Sequence, residues 1–195
     1  MINVEVLLAH GASLKRYEAG EAIFKQGGTC KYYYQVVEGC IIWENLNDDG
    51  KRFIQYIVEP GESFGELPLF DGEGYAANAT AEVPSLVVRL PKETFLQLLK
   101  DDSELHFNFS KLLAQRTRQK FLNLKTFAFE NPEARISNLL DVIKTKTQTD
   151  EPVKVNLTRQ QMANMTGLRV ETVIRVIRSL SERGQLQIAH GKIFL

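Results

Sequence analysis

Glu171, Arg175 and Arg178 stand at i, i+4 and i+7 in the run from Val170 to Arg183, which contains neither Gly nor Pro. On a helix that spacing puts the three side chains on one face. A guanidinium can fork onto O6 and N7 of a guanine, a carboxylate can accept from the N4 amine of a cytosine, and an apolar group can meet a thymine methyl. Glu171 and Arg175, one turn apart near the start of the run, are the candidate base readers, and Val170 beside them is the candidate for a thymine methyl. Arg159, Arg169, Arg178 and Lys192 are the candidate phosphate contacts. The competing interpretation is an intrahelical Glu–Arg pair on a solvated surface. Val173, Ile177 and Leu180 form a different, apolar stripe and predict the buried side of the same helix.

The preceding residues supply what such a helix needs. Val153 to Leu157 predicts a short strand. Thr158 offers an N-cap hydroxyl, and Gln161 three residues on completes a capping-box pattern. A short helix from Arg159 to Met165 is expected to bury Met162 and Met165 around the small Ala163. Thr166-Gly167-Leu168 reads as a tight turn, and Gly184 follows the second helix where a left-handed C-terminal residue belongs. Two short helices joined by a Gly turn form a helix-turn-helix. Arg169 takes the position where a short side-chain acceptor is usual for an N-cap. Leu186 to Ala189 and Lys192 to Leu195 flank His190-Gly191 as a hairpin. It reads either as a wing, with His190 or Lys192 against phosphate, or as a plain sheet edge.

The charge distribution agrees with two modules. Lys plus Arg and Asp plus Glu are 24 each. Residues 1–100 carry 9 basic and 14 acidic side chains, a net of −5, while residues 101–195 carry 15 and 10, a net of +5. From residue 152 on, 7 basic side chains face 2 acidic ones. A basic tail attracts an anionic partner. The 44% apolar and 25% charged composition is that of a globular chain. Cys30 and Cys40 support neither a disulfide framework nor a closed metal site, and His10, His106 and His190 are scattered. No secretory signal or membrane-length apolar run is visible, so a soluble, cytoplasmic protein without a membrane partner is expected.

The first hundred residues read as β. Ala22-Ile23-Phe24, Tyr32 to Val37, Cys40 to Trp43, Phe53 to Val58 and Leu86 to Leu90 are rich in β-branched or aromatic residues, with Gly-containing turns between them. The clearest hairpin turns at Asn47-Asp48-Asp49-Gly50. Helix follows over Lys92 to Leu99 and again from Asp101 to about Phe127, where neither Pro nor Gly occurs. Asp101, Asp102 and Glu104 at the start of the latter, and Lys120 and Lys125 near its end, suit the helix dipole. Its stripe Leu105, Phe109, Leu112 and Leu113 serves either a core or a second copy of the chain, and pairing with a copy is preferred. Polar Arg116, Gln119 and Asn123 rule out a plain zipper. Asn131-Pro132 breaks the chain, Glu133 to Lys144 is a further helix, and Thr145 to Pro152 is a polar loop. The expected fold is α+β: a jelly-roll-like antiparallel β-roll (1–100), a long dimerisation helix (101–130) and a winged helix-turn-helix domain (131–195).

Four segments resemble the Crp/Fnr family of transcription regulators: Phe64-Gly65-Glu66-Leu67-Pro68-Leu69-Phe70, the long helix, Leu157 through Arg175, and Ala189-His190-Gly191-Lys192. The Val-Glu-Thr-x-x-Arg form at 170–175 is similar to the Fnr branch. The resemblance implies a homodimer, a palindromic operator in double-stranded DNA, RNA polymerase as a partner, and no enzymatic activity. It also implies an effector pocket at Gly65, Glu66, Leu67, Ala76, Ala77, Lys120 and Phe121. There the chain departs from the cyclic-nucleotide binders. Their Arg-Ser pair, whose Arg neutralises the cyclic phosphate, is matched by Ala76 and Ala77. The positions that face the base are Lys120 and Phe121 instead of small hydroxylic residues. A buried phosphate without a cation is costly, so an effector other than cyclic AMP or GMP, or none, is expected. The Fnr-type cysteine cluster is missing, and two cysteines cannot fill a four-thiolate iron–sulfur site. Cys30 has a redox-sensor interpretation beside that of an incidental small residue, and Cys40 is expected to be buried. Trp43 and Tyr32-Tyr33-Tyr34 either line a pocket or pack between strands. A ligand-sensing roll whose tail binds a protein is the main rival function. A roll-based enzyme is a weaker one, for want of a nucleophile–base pair or metal set.

Overall fold

The computed structural model of the chain describes residues 2–147 and 151–195. They cluster into two compact units, one ending at Gln115 and the other beginning at Arg116. That division falls inside a single long helix.

In the first unit, α1 (Val4–Ala9) is capped by Asn3, whose Oδ1 accepts from the Glu5 amide at 2.8 Å. Eight strands follow: β1 (Ser13–Tyr17), β2 (Ala22–Phe24), β3 (Tyr32–Glu38), β4 (Ile41–Leu46), β5 (Arg52–Val58), β6 (Ser63–Phe64), β7 (Asn78–Ala81) and β8 (Ser85–Pro91). A one-turn helix, α2 (Leu67–Phe70), sits between β6 and β7. The strands form two antiparallel four-stranded sheets, ordered β1-β8-β3-β6 and β2-β7-β4-β5. Tyr56, Trp43, Ala79 and Phe24 are paired in one row across the second sheet. Directly opposed residues share a face, and Trp43, Ala79 and Phe24 point into the core. The expected turn after Asn47 is present: the Gly50 amide donates to the Asn47 carbonyl at 2.9 Å, and the Lys51 amide to Asn47 Oδ1 at 2.7 Å. Of the tyrosine run, Tyr33 stacks on Phe95 at 4.4 Å and Tyr34 on Phe64 at 5.4 Å. Strand packing therefore accounts for it.

After β8 come α3 (Lys92–Asp101) and α4 (Ser103–Phe129). Asp102 Oδ1 accepts from the Leu105 amide at 2.8 Å, starting α4 with an acidic cap. The stripe expected to meet a second copy is occupied within its own unit. Phe109 is buried, with its ring 5.3 Å from Phe95, and Leu105, Leu112 and Leu113 lie half-buried against the same core. A different stripe of α4 is left open. Phe107, Ser110, Ala114, Thr117, Phe121, Leu124 and Ala128 recur at alternating steps of three and four, are all exposed and carry no charge. Arg116, Gln119 and Asn123 lie off it.

The second unit holds the rest of α4, then α5 (Pro132–Thr147), β9 (Lys154–Val155), α6 (Arg159–Thr166), α7 (Val170–Glu182), β10 (Gln187–Ala189) and β11 (Lys192–Phe194). Arg135 shapes the break at Asn131-Pro132 by donating to the carbonyls of Phe127 at 2.9 Å and Glu130 at 3.1 Å. α5 runs one turn further than its apolar pattern suggests, because Thr145 and Thr147 return their hydroxyls to the carbonyls of Asp141 and Ile143. The expected loop thus loses its first residues to the helix, and residues 148–150 lie outside those described. Ile136, Leu140, Met162, Val173, Ile177, Leu180 and Ile193 make the core. Met165 is only half-buried; Thr166 is the buried end of α6, its hydroxyl donating to the Met162 carbonyl at 2.7 Å. β9, shorter than expected, pairs with β11 in a three-stranded sheet ordered β10-β11-β9.

Candidate nucleic-acid interface

α6 begins with the complete capping box that Thr158 and Gln161 encode. The Gln161 amide donates to Thr158 Oγ1 at 3.0 Å, and the Thr158 amide to Gln161 Oε1 at 2.8 Å. Ala163, almost wholly buried, lets α6 and α7 cross closely. Gly167 ends α6 in the left-handed region at φ +69°, where a side chain would be strained, and the Leu168 amide closes the turn on the Ala163 carbonyl at 3.1 Å. Arg169 is the N-cap of α7 and contributes no side-chain cap. Arg169 is exposed at the start of α7, whose first amides have no intrahelical partner.

Val173, Val176, Ile177 and Leu180 hold α7 on the core, which sets the opposite face outward. Glu171, Arg175 and Arg178 are all exposed there. Glu171 and Arg175 form no ion pair with each other or with any other described residue. Arg178 lies 3.0 Å from Glu182, one turn on, with both side chains largely exposed. Such a surface pair is worth only about 0.3–0.5 kcal/mol and yields readily to a phosphate. Val170 is half-buried. Arg183, paired with Glu133 of α5 at 2.6 Å, fastens the far end of α7.

β10 and β11 turn through His190 at φ +49° and Gly191 at φ +74°, the paired left-handed residues of a tight hairpin. The turn meets the start of α6. Asn156, Leu157, Thr158, Arg159, Gly191 and Lys192 line a surface depression of about 390 Å³. Two of the four candidate phosphate contacts, Arg159 and Lys192, are brought together here; Arg169 and Arg178 lie elsewhere on the unit. Arg159 is half-buried, and burial lowers its pKa, but a guanidinium stays charged at any physiological pH. Asn156, Thr158 and Gly191 escaped the sequence reading as lining residues, since only the folded wing places them. Ile174 escaped it too, although it lies three residues from Glu171 on the same side of α7.

In the first unit, Glu66 is buried and its Oε1 accepts from Ser63 Oγ at 2.7 Å. Gly65 has φ +71°, and a Cβ there would meet the Phe24 ring at 2.7 Å. Phe24 in turn stacks on Tyr75 at 3.7 Å. Leu67 and Ala76 are exposed and Ala77 is buried. The matching positions, Ala76 and Ala77, carry no cation for a cyclic phosphate, and aromatic rings crowd Gly65. Lys120 and Phe121 belong to the second unit, where both are exposed.

A roll followed by a winged helix-turn-helix with an open basic face defines a DNA-binding regulator. The family model of the cyclic nucleotide-binding domain matches residues 14–102, and that of the Crp-like helix-turn-helix domain matches residues 134–195. The chain is 28% identical over 193 residues to the cAMP-activated global transcriptional regulator Vfr of Pseudomonas aeruginosa, covering 95% of this chain and 90% of that protein. It is 29% identical over 177 residues to the cyclic AMP receptor protein of Thermus thermophilus, covering 91% and 81%. Among solved structures, FixK2 from Bradyrhizobium japonicum superposes with a TM-score of 0.82 at 22% identity, over 94% of this chain and 92% of that one. The chain belongs to the Crp/Fnr family of transcription regulators, whose members are not enzymes, and its second unit carries the family's DNA-binding domain. No helix among the described residues is long and apolar enough to cross a membrane.

Proposed function

We propose that the protein is a cytoplasmic, homodimeric regulator that binds a palindromic operator and contacts RNA polymerase from that position. The observation that carries this reading is the pair Glu171 and Arg175, exposed and without a partner among the described residues on the outer face of α7. Each α7 enters a major groove, with half-sites about 34 Å apart, one turn of DNA. Glu171 and Arg175 read the two halves of one G·C pair or neighbouring pairs, and Val170 meets a thymine methyl. Arg159 and Lys192 clamp one phosphate at the depression they line, and Arg169 and Arg178 take others.

The second copy docks along the open α4 stripe from Phe107 to Ala128, whose 3.5-residue period matches a left-handed coiled coil. Phe107, Phe121 and Leu124 are 70%, 68% and 64% exposed in the single chain, and a copy would cover them. The effector is not a cyclic nucleotide, or there is none. Ala76 and Ala77 offer no charge to a buried phosphate, although Glu66, which matches the ribose-binding carboxylate, remains.

Selection of bound duplexes from a random pool tests the reading directly. Dyad-symmetric sequences with a G·C pair at a fixed place in each half are expected. Equal retention of random and palindromic DNA at about 0.15 M salt would overturn it, favouring a tail that binds protein.

A further inference from the structure

α7 sorts its residues strictly, with one exception. Val173, Val176, Ile177 and Leu180 face the core, and Glu171, Arg175, Arg178 and Glu182 face outward. Ile174 is the exception, 51% exposed although it is a large β-branched residue. It lies one turn from Val170, Glu171 and Arg178 and next to Arg175, so it borders the base-reading face on the Val170 side. β-branching disfavours a helix interior, and half of this side chain gains nothing from burial. Scattered surface isoleucines are common, but this one sits beside Glu171 and Arg175, which have no partner among the described residues. Whatever receives Arg175 and Glu171 must also receive an apolar, methyl-bearing group beside them. In the major groove one base pair presents such a counterpart, the C5 methyl of thymine.

We propose that Ile174 is a base-reading residue that selects thymine at one position of each half-site through its C5 methyl group. This rests on the DNA-binding reading above and adds to it a residue and a base. The contact excludes water from two apolar surfaces and places no demand on hydrogen bonding. It therefore separates thymine from cytosine by the methyl group as well as by the neighbouring N4 amine.

The test uses the full-length protein and the duplex recovered by selection. Thymines are replaced one position at a time, in both halves, by deoxyuridine, which lacks only the methyl group. Wild type is expected to lose about fourfold in affinity per half-site at one position, the effect of one buried methyl. Ile174→Ala, which keeps the helix and removes the contact, should bind thymine and deoxyuridine equally there while keeping its G·C preference. Val170→Ala should leave that position's difference intact and reduce one at another position, if any. Retention of the deoxyuridine penalty by Ile174→Ala, or no penalty at any thymine in wild type, overturns the proposal while leaving the operator in place. Failure to recover any dyad-symmetric sequence brings down the DNA reading itself, and Ile174 with it.

Discussion

The two units treat their polar side chains in opposite ways. In the first, most buried polar groups find partners within the fold, the exceptions among the described residues being Trp43 Nε1 and Tyr75 Oη. The Tyr33 hydroxyl donates to Gln35 Oε1 at 2.7 Å, Gln35 Nε2 donates to the Ile2 carbonyl at 2.9 Å, and Ser63 donates to Glu66. Glu44, nearly buried, receives Arg52 at 2.6 Å. In the second unit the outer face of α7 holds a carboxylate and a guanidinium, Glu171 and Arg175, with no partner among the described residues. Satisfied polar groups fix a conformation, whereas unsatisfied exposed ones cost nothing until a partner arrives. On the proposed reading the roll serves as a frame, with the Phe24 and Tyr75 rings packed against Gly65, and the winged helix as the working surface.

The hardest blow to that division of labour should fall on neither of its poles but on α4. Phe121→Glu sets like charges across the proposed seam. A monomer is expected in sedimentation, and affinity for the palindrome should fall by about 10²–10⁴, the advantage of linking two half-site contacts. A dimer that persists would place the seam elsewhere. Next in size is Arg175→Ala, expected to cost about 1–3 kcal/mol per half-site and to relax selectivity at a single base pair. Equal weakening on every sequence, with a salt slope smaller by about one, would make Arg175 a phosphate contact.

How much of this was legible in the residues depends on how local each signal was. The capping box, the tight turn at Gly167, the left-handed Gly184 and the hairpin at His190-Gly191 are written in consecutive residues, and they form as expected. β1, β6, β7, α1 and α2 were not legible. Asn78-Ala79-Thr80-Ala81 lacks large β-formers, and it becomes a strand only because Trp43 and Phe24 need a small neighbour between them. The two stripes of α4 were separable only with the fold in hand. Sequence favours Leu105, Phe109, Leu112 and Leu113 because they are the more apolar set, yet Phe109 enters the roll's core and the three leucines pack half-buried against it. The set left outside mixes Phe and Leu with Ser, Ala and Thr and shows little hydrophobicity until its exposure and period are seen together.

A third variant sharpens the contrast within the second unit. Thr158→Ala removes the acceptor for the Gln161 amide, and about 1 kcal/mol of stability should go with it. Urea unfolding followed on the helical signal reads this directly. An unchanged midpoint would mean that the box orders α6 without stabilising it.

A smaller effect belongs to the roll. Burial, and then the carboxylates of Glu82, Glu59 and Glu62, push the half-buried Cys40 thiol up to about 11 from a usual 9.0. Folding therefore favours the neutral thiol. The stability this contributes is complete below pH 9 and is lost as pH rises through about 11. Denaturation midpoints should decline over that window in wild type and less so in Cys40→Ser. Identical declines would assign the alkaline loss to other groups.

The smallest expected effect is none, and it bears hardest on the comparison. Cyclic AMP at about 1 mM should leave the melting temperature of the full chain unchanged. A ligand with a Kd a hundredfold below its concentration would add about 2.7 kcal/mol to the folded state. For a chain of this size that is a rise of about 5–10 °C, which no ordinary thermal scan would miss. Ala76 and Ala77 cannot neutralise the phosphate, and the stacked Phe24 and Tyr75 rings crowd Gly65. A clear rise would mean that these rings move aside and that a cation is recruited from elsewhere. The roll would then be a sensor after all, and the distinction between frame and working surface would fail at its first unit.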